Sequence, residues 1–548
     1  MYRRVLTPLT LMLALCVPAF SQEHPAPAKA KSVTLMTGYG NWQHPVSTKN
    51  AQAQAFFDQG LRLIYAFNHD EAMRSFQRAA ELDPKLAMAY WGIAEAVGPN
   101  YNDPASEDRF AQAHAAIEKA QTLASDASES DRAYIAALAK RFPADPKSDL
   151  RAAAEQYRDA MRDVLNRFPD DLDAATLFAE AGMNLHPWGL WHADGTPEEG
   201  TEEIVLALES VIRRDPNHLG AIHYYIHSVE ASSSPERALA GANRLAELAP
   251  AAGHIVHMPA HIYIRTGDYA AAVKNNAEAA KVDKVYAQKA DKEGSIYDLM
   301  YHSHNEHFLA SAASMAGRYE EAKAAADGLA KRLQPHAKIM PMLDGFIFTP
   351  VWVDVRFAKW DAILKRPEPL KELPGTHAMW RYSRALAFAA RGEGDKAGTE
   401  RTLFAAEAFA LAPDSNFGGF NSAKDILSLA LEVIDARIAA ARGQKEEAIS
   451  HWRKAVQLQN AMFYNEPADW YYPVRESLGA GLLSAGRASE AEQVFRDDLQ
   501  RNPRNPRSLF GLMNSLKTQQ RDADAAWVER QFKEAWKEAD SKLELANL

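Results

Sequence analysis

The chain has 548 residues, 47% of them hydrophobic, and a formal net charge of −10. That length exceeds one simple core and predicts several domains or a repeat array. The acidic balance, with no stripe of Lys and Arg, excludes nucleic acid as the main partner, because phosphate binding needs clustered cations.

In chain order, the first element is an export signal. Arg3 and Arg4 precede an apolar run from Val5 to Ala19, and Ala19-Phe20-Ser21 is a small-x-small cleavage site. Residues 1–21 are expected to be removed, placing the mature chain in the periplasm or outside the cell, with no membrane span left after cleavage. Cys16 is the only cysteine. The mature chain would hold no thiol, so a metal must be bound through His, Asp or Glu. Residues 22–50 lack helical period and read as an extended lead-in.

From residue 51 a repeat runs through the chain. FFDQGLRLIYAFNHDEAMRSFQRAAELDP places Gly60, Ala72, Phe76, Ala79 and Pro84 at positions 8, 20, 24, 27 and 32 of a 34-residue helix-turn-helix unit. RTGDYAAAVKNNAEAAKVD, AGRYEEAKAAADGLA, ARGQKEEAISHWRKAV and AGRASEAEQVFRDDLQRNP fall into the same register, with Ala272, Ala322, Ala448 and Ala491 at position 20. On these residues the chain resembles the tetratricopeptide repeat (TPR) superfamily over most of 51–540. The resemblance implies an all-α, right-handed superhelical solenoid of ten to twelve helix pairs, whose neighbours stack into one continuous core. HYYIHSVEAS, GHIVHMPAHIYIRTGDY and DWYYPVRESLGAGLL resemble exported bacterial TPR proteins and, distantly, the tetratricopeptide-38-like proteins. That likeness implies a fold and an exported location, not a reaction. The expected divisions are N-terminal repeats at 51–171, histidine-rich repeats at 172–335 and C-terminal repeats at 336–548.

Two insertions interrupt the array. In the repeat from Leu172 the extra residues include a loop, 186–196, carrying His186, Trp188, Trp191 and His192. This loop is a candidate lid over the groove, or a loop packed on the scaffold. Thr196-Pro197-Glu198-Glu199 reads as the capped start of the following helix. The second insertion separates repeats beginning at Gly253 and Ser303, which stand 50 residues apart rather than 34. In the N-terminal repeats the groove positions are Phe57, Leu61, Trp91 and Glu95, an apolar platform or a seat for the lead-in.

Nine of the eighteen histidines lie in residues 218–307. Counted from the start of each first helix, His223 and His227 are positions 5 and 9. His254, His257 and His261 are positions 2, 5 and 9 of the next repeat, and His304 and His307 are positions 2 and 5 of the one after. At 100° per residue these positions share one face, away from core positions 4, 7, 8 and 11. The resemblance implies that this face lines the concave groove. Imidazoles at i and i+4 can grip one ion from one helix face, and neighbouring first helices pack about 8–10 Å apart. The candidate metal ligands are therefore His223, His227, His254, His257, His261, His304 and His307. A ligand set of nitrogen and oxygen suits Zn, Cu, Ni or Fe. Pro259 predicts a kink where the imidazoles gather.

Three readings remain open: a metal site, a groove that hydrogen-bonds a peptide or small-molecule ligand without metal, and a buried polar network. The leading function is a binding scaffold whose groove (Glu180, His186, Trp188, Trp191, His192, His223, His227, Glu230) takes a protein, peptide or small ligand with a transition metal. The alternative is a metalloenzyme, hydrolase or oxidoreductase, with Glu180 or Glu230 as base. A scaffold should keep the groove open, whereas an enzyme should close it into a pocket.

Overall fold

The structure is a computed structural model that describes residues 33–145, 148–412, 415–417 and 419–548. The expected signal segment and the lead-in up to residue 32 lie outside the described residues. Among the described residues the fold is all-α, with only isolated bridges in loops. No helix among them is long and apolar enough to cross a membrane.

Helices pair as antiparallel hairpins from Ala51–Tyr65 with His69–Leu82 to Pro506–Thr518 with Asp522–Ala535. Small residues set their approach. A β-carbon at Gly60 or Gly92 would fall 2.6 or 2.4 Å from the Phe76 ring, so this phenylalanine wedges between two successive first helices. Phe495 repeats the device at the far end against Gly479 and Gly511. Between paired helices the chain turns through a left-handed residue, as at Gly267 (φ 77°) and Gly443 (φ 75°), which closes the first helix without a β-carbon clash. In the first repeat this register position holds Phe67, at φ 54°.

The lead-in fills the N-terminal end of the groove. The backbone N–H of His44 donates to Asp58 Oδ1 at 3.0 Å, and Trp42 Nε1 donates to Asp173 at 3.0 Å. Phe57, Leu61 and Trp91 are buried beneath it. Of these positions, Phe57 meets the chain's own segment at His44, with ring centres 6.1 Å apart, and Glu95 is turned to Arg141 instead.

The insertions fall where the register put them, with one correction. The second helix of the repeat from Leu172 begins at Thr201, behind Gly200 in the left-handed conformation, not at Thr196. The backbone of 196–198 is occupied in the loop instead: His192 N–H donates to Thr196 O and Glu198 N–H to Leu190 O, both at 2.9 Å. The second insertion becomes a long helix, Tyr269–Ala290, then a π-helical turn, Asp298–His302, leading into Ser303–Met315. Such turns cluster at functional sites because they re-aim the next residues. Pro259 splits its helix into Gly253–His257 and Pro259–Thr266.

The superhelix closes on itself. Tyr269 donates to Pro503 O at 3.2 Å and Arg504 to Thr266 O at 2.9 Å. Tyr319 N–H donates to Asp540 at 2.6 Å. Buried Arg356 forks onto Glu476, with Nη2 to Oε1 at 3.0 Å. The middle repeats are thus roofed by chain 120 or more residues away in sequence.

Candidate metal centre

The closure changes what the histidine face is. The sequence placed it on an open concave surface, but His223, His257 and His261 have no exposed surface, and His227 and His254 are only 2% and 4% exposed. The physical reason is the roof: Tyr464 reaches within 3.4 Å of Glu230, and Trp188 packs on Phe420 at 5.4 Å between ring centres.

Six imidazoles form two triads. His223, His227 and His254 make one, and His257, His261 and His304 the other, with ligand-capable atoms of each triad within 4.8 Å of one another. His223 Nε2 lies 3.1 Å from His254 Nε2. His257 Nε2 lies 2.6 Å from His261 Nε2 and 3.0 Å from His304 Nε2.

The far nitrogens explain the orientation. His223 Nδ1 bonds the Tyr65 carbonyl at 2.6 Å, which fixes it as the donor. His227 Nδ1 faces Glu230 Oε1 at 2.8 Å, and His261 Nδ1 bonds Glu230 Oε2. His257 Nδ1 faces Asn276 Oδ1 at 2.6 Å. Four rings are therefore held with Nδ1–H outward and the Nε2 lone pair inward, the arrangement in which an outer acceptor orients a metal-ligating imidazole. His227 Nε2 and His254 Nδ1 are buried with no hydrogen-bond partner.

Burial, reinforced by neighbouring imidazoles, holds the pKa values of His223, His254, His257 and His304 well below the usual histidine range. His261 moves the other way. Burial opposes its charge, but Glu230 outweighs that and raises it. Glu230 itself is driven down to about 2, as His261 and His227 overcome its burial.

Four of these rings, His227, His254, His261 and His304, open onto one cavity of about 830 Å³. Its walls are mostly apolar, with Met73, Met300, Phe346, Phe348 and Trp352, and its rim carries Ile296, 71% exposed, and Phe420, 50% exposed. Two aromatic residues in the left-handed region flank His227. Phe67 lies near-parallel to His227 and His254 at 5.8 and 5.2 Å, and Trp188 (φ 61°) meets His227 edge-on at 5.5 Å. A bulky residue at positive φ costs on the order of 1–3 kcal/mol and persists only where its surroundings enforce it.

The remaining candidates separate. His307 lines the cavity against Phe346 and Trp352 but stands outside both triads; burial lowers it to about 4. Glu180 is not at the histidines. It is buried against Asn184 in a group with Arg141 and Glu95, where burial raises it and Arg141 opposes. Its register position matches His227, but the charge of Arg141 from the preceding hairpin claims it. Glu230 sits between two imidazoles rather than free as a base. Trp188 faces the cavity, whereas Trp191 donates to Ser228 O at 2.7 Å and packs on the scaffold. His186 lies 3.3 Å from Arg151, and His192, 55% exposed, lies 3.4 Å from Glu198; neither reaches the cavity.

Sequence reasoning missed Phe67, Asn276, Tyr464 and Glu466. Glu466 lines the cavity, accepts from Tyr464, and is pushed up to about 7 by burial and the Glu230 charge, against the pull of His261. Phe67 alone carried a signal: it occupies the register position where later repeats have the turn glycine.

No protein-family model matches the chain, and no curated protein matches it. Among solved structures it is similar to human IFIT1, a dimer with m7Gppp-AAAA, at 12% identity and a TM-score of 0.31, over 89% of this chain and 91% of that one. It is similar to yeast Tom70 at 11% identity and a TM-score of 0.28, over 89% and 93%. Likeness at that level carries no argument about this chain. The assignment as a solenoid of TPR-type hairpins rests on its own helix pairs and glycine–aromatic wedges.

Proposed function

We propose that this chain is an exported metalloprotein, of the metalloenzyme rather than the open-scaffold kind, whose imidazoles hold a transition ion at the wall of a cavity for a small, largely apolar ligand. The observation that carries the reading is the set of inward Nε2 atoms. His257 and His261, whose outer nitrogens donate, turn Nε2 lone pairs toward one another at 2.6 Å, which repel unless a cation or proton lies between; His254 and His304 bring their Nε2 atoms to 3.1 and 3.0 Å of His223 and His257. Ligands about 2.0–2.1 Å from one ion stand about 2.9–3.4 Å apart for angles between square and tetrahedral. The 3.0 and 3.1 Å separations fit that range, and the 2.6 Å pair reaches it with a small ring rotation. A cavity of about 830 Å³ suits a small organic molecule.

A bound Zn, Cu, Ni or Fe ion would polarise an oxygen donor of substrate or water. The protein's own groups divide the remaining work. Glu230 and Asn276 hold the ring tautomers, Phe67 and Trp188 keep water from one side, and Glu466 with Tyr464 holds a proton at the cavity wall. Export is proposed from residues 1–21; the N-terminus of exported protein should be Gln22.

A second reading has its own support. Glu230 between His227 and His261 can stabilise one imidazolium, which would donate across the 2.6 Å gap to His257 and make the cluster a hydrogen-bonded network. The test is metal content. Full-length protein is stripped with chelator, dialysed against Zn²⁺ or Cu²⁺, and analysed by mass spectrometry. The proposal expects bound metal in wild type and less in His257→Ala/His261→Ala. Metal-free wild-type protein after dialysis would leave the network reading.

A further inference from the structure

Resting on that metal reading, we propose that the centre is dinuclear: one ion in the His223/His227/His254 triad and a second in the His257/His261/His304 triad, both open to the same cavity.

The first argument is register. Each triad is built from positions 5 and 9 of one repeat and position 2 of the next. The spacing from position 5 to the next position 2 is 31 residues in the first triad (223 to 254) and 47 in the second (257 to 304). The difference of 16 equals the surplus of the inserted repeat, 50 residues instead of 34. The long helix and π-helical turn absorb the insertion and return His304 to the place that His254 holds one repeat earlier. A solenoid that repeats a ligand set once per unit repeats its site.

The second argument is that the chemistry repeats with the geometry. In each triad the position-5 ring lies behind and does not line the cavity, while the position-9 and position-2 rings do. In each, both position-5 and position-9 rings have Nδ1 held by an outer acceptor. The triads abut: His227 and His261 centres are 5.4 Å apart, and His254 and His257 centres 5.8 Å. Glu230 spans them, taking His227 on one oxygen and His261 on the other, so one carboxylate orients a ligand of each site and supplies the negative charge that two adjacent cations need.

The third argument is selection. Each triad offers three imidazoles, and the chain has no thiol beyond Cys16. Such sets favour copper or zinc over magnesium, calcium or manganese. Three protein ligands leave a position at each ion for an exogenous donor. The ligand class is thus a small, largely apolar molecule carrying one oxygen donor that both sites can reach.

The experiment titrates full-length, metal-stripped protein with Zn²⁺ and, separately, Cu²⁺, and counts bound ions and paramagnetic spins. The proposal expects two ions per chain. The copper form should give a spectrum split or broadened by the neighbouring ion, because two adjacent Cu²⁺ ions couple through their dipoles. His254→Ala and His304→Ala should each bind one ion, and each copper form should give one uncoupled spin. One ion in wild type, whether lost in both variants or in only one, overturns the dinuclear centre and leaves the metal reading intact. No ion in wild type overturns both. If a variant fails to fold by circular dichroism, the wild-type count and the split or broadened spectrum decide alone.

Discussion

Two buried histidine clusters in this solenoid are built inside out relative to each other. Around Asp173, a carboxylate is the hub: Trp42 donates at 3.0 Å, Tyr65 at 2.5 Å, His44 Nδ1 lies at 2.8 Å and His218 Nε2 at 3.3 Å. His218 accepts the Ala221 N–H on Nδ1, so its remaining proton is on Nε2, which stands beside the acid without a hydrogen bond to it. Around Glu230 the carboxylate lies outside and the imidazole lone pairs face one another. Both clusters offer at least three metal-capable groups. The difference teaches that the number of histidines does not define a site. A cluster of donors gathered round an acid already carries its counter-charge, and a cluster whose lone pairs converge asks for a cation.

The largest expected effect is on the complete cluster. Asp173→Ala leaves His44, His218 and Tyr65 buried around a missing hub and should cost about 3–5 kcal/mol, read by urea unfolding, with no dependence on metal. A loss below about 1 kcal/mol would erase the distinction between the clusters.

Next comes pH. Burial opposes the charge on His44, but Asp173, with Asp171 and Asp131 beyond it, raises it to about 9. A histidine raised above its ordinary value near 6.5 contributes stability that is fully present below pH 6.5 and lost as pH rises through 9. Asp173 is depressed below the usual carboxylate range, since its histidine partners outweigh burial, and its contribution fails only in acid. The destabilisation caused by His44→Gln should therefore shrink by about 3 kcal/mol between pH 6 and pH 10, measured in chelator. A pH-independent difference would mean that His44 is neutral in the fold.

In the other cluster, Glu230→Gln should weaken metal binding about 10- to 100-fold, the usual effect of losing an outer partner of a ligating histidine, while the metal-free fold is retained. Competition against a chelating dye would measure it. Unchanged affinity would reduce Glu230 to packing.

The smallest expected effect is the stability change on removing the converging rings without metal. His257→Ala/His261→Ala takes away facing lone pairs but leaves Glu230 and Asn276 each short of one partner, and should cost the metal-free protein about 1–2 kcal/mol, against 2–5 kcal/mol for an ordinary core truncation. With metal, wild type should melt well above the variant, and chelator should narrow the gap to that residual cost. A gap unchanged by chelator favours the network reading.

The repeat register made the hairpins legible, because Ala72, Phe76, Gly60 and their equivalents must meet at fixed helical offsets. It also placed His223, His227, His254, His257, His261 and His304 on one face, since that depends only on local period. It could not report what covers that face. Tyr464, Glu466 and Phe420 are brought there by superhelical closure, and their long-range contacts leave no local pattern. The same blindness let Glu180 pass as a groove residue, because the wheel gave its direction and not Arg141 beside it. Thr196 misled for another reason: it had cap chemistry, but loop hydrogen bonds had already claimed its backbone.

The central claim is that cations sit among the converging imidazoles, and anomalous diffraction tests it most directly. Crystals of the full-length protein loaded with copper or zinc, measured on either side of the metal edge, should give one peak among His223, His227 and His254 and another among His257, His261 and His304, with Asp173 bare. Metal density absent from both triads, with the Nε2 atoms still facing one another across hydrogen bonds, would contradict it.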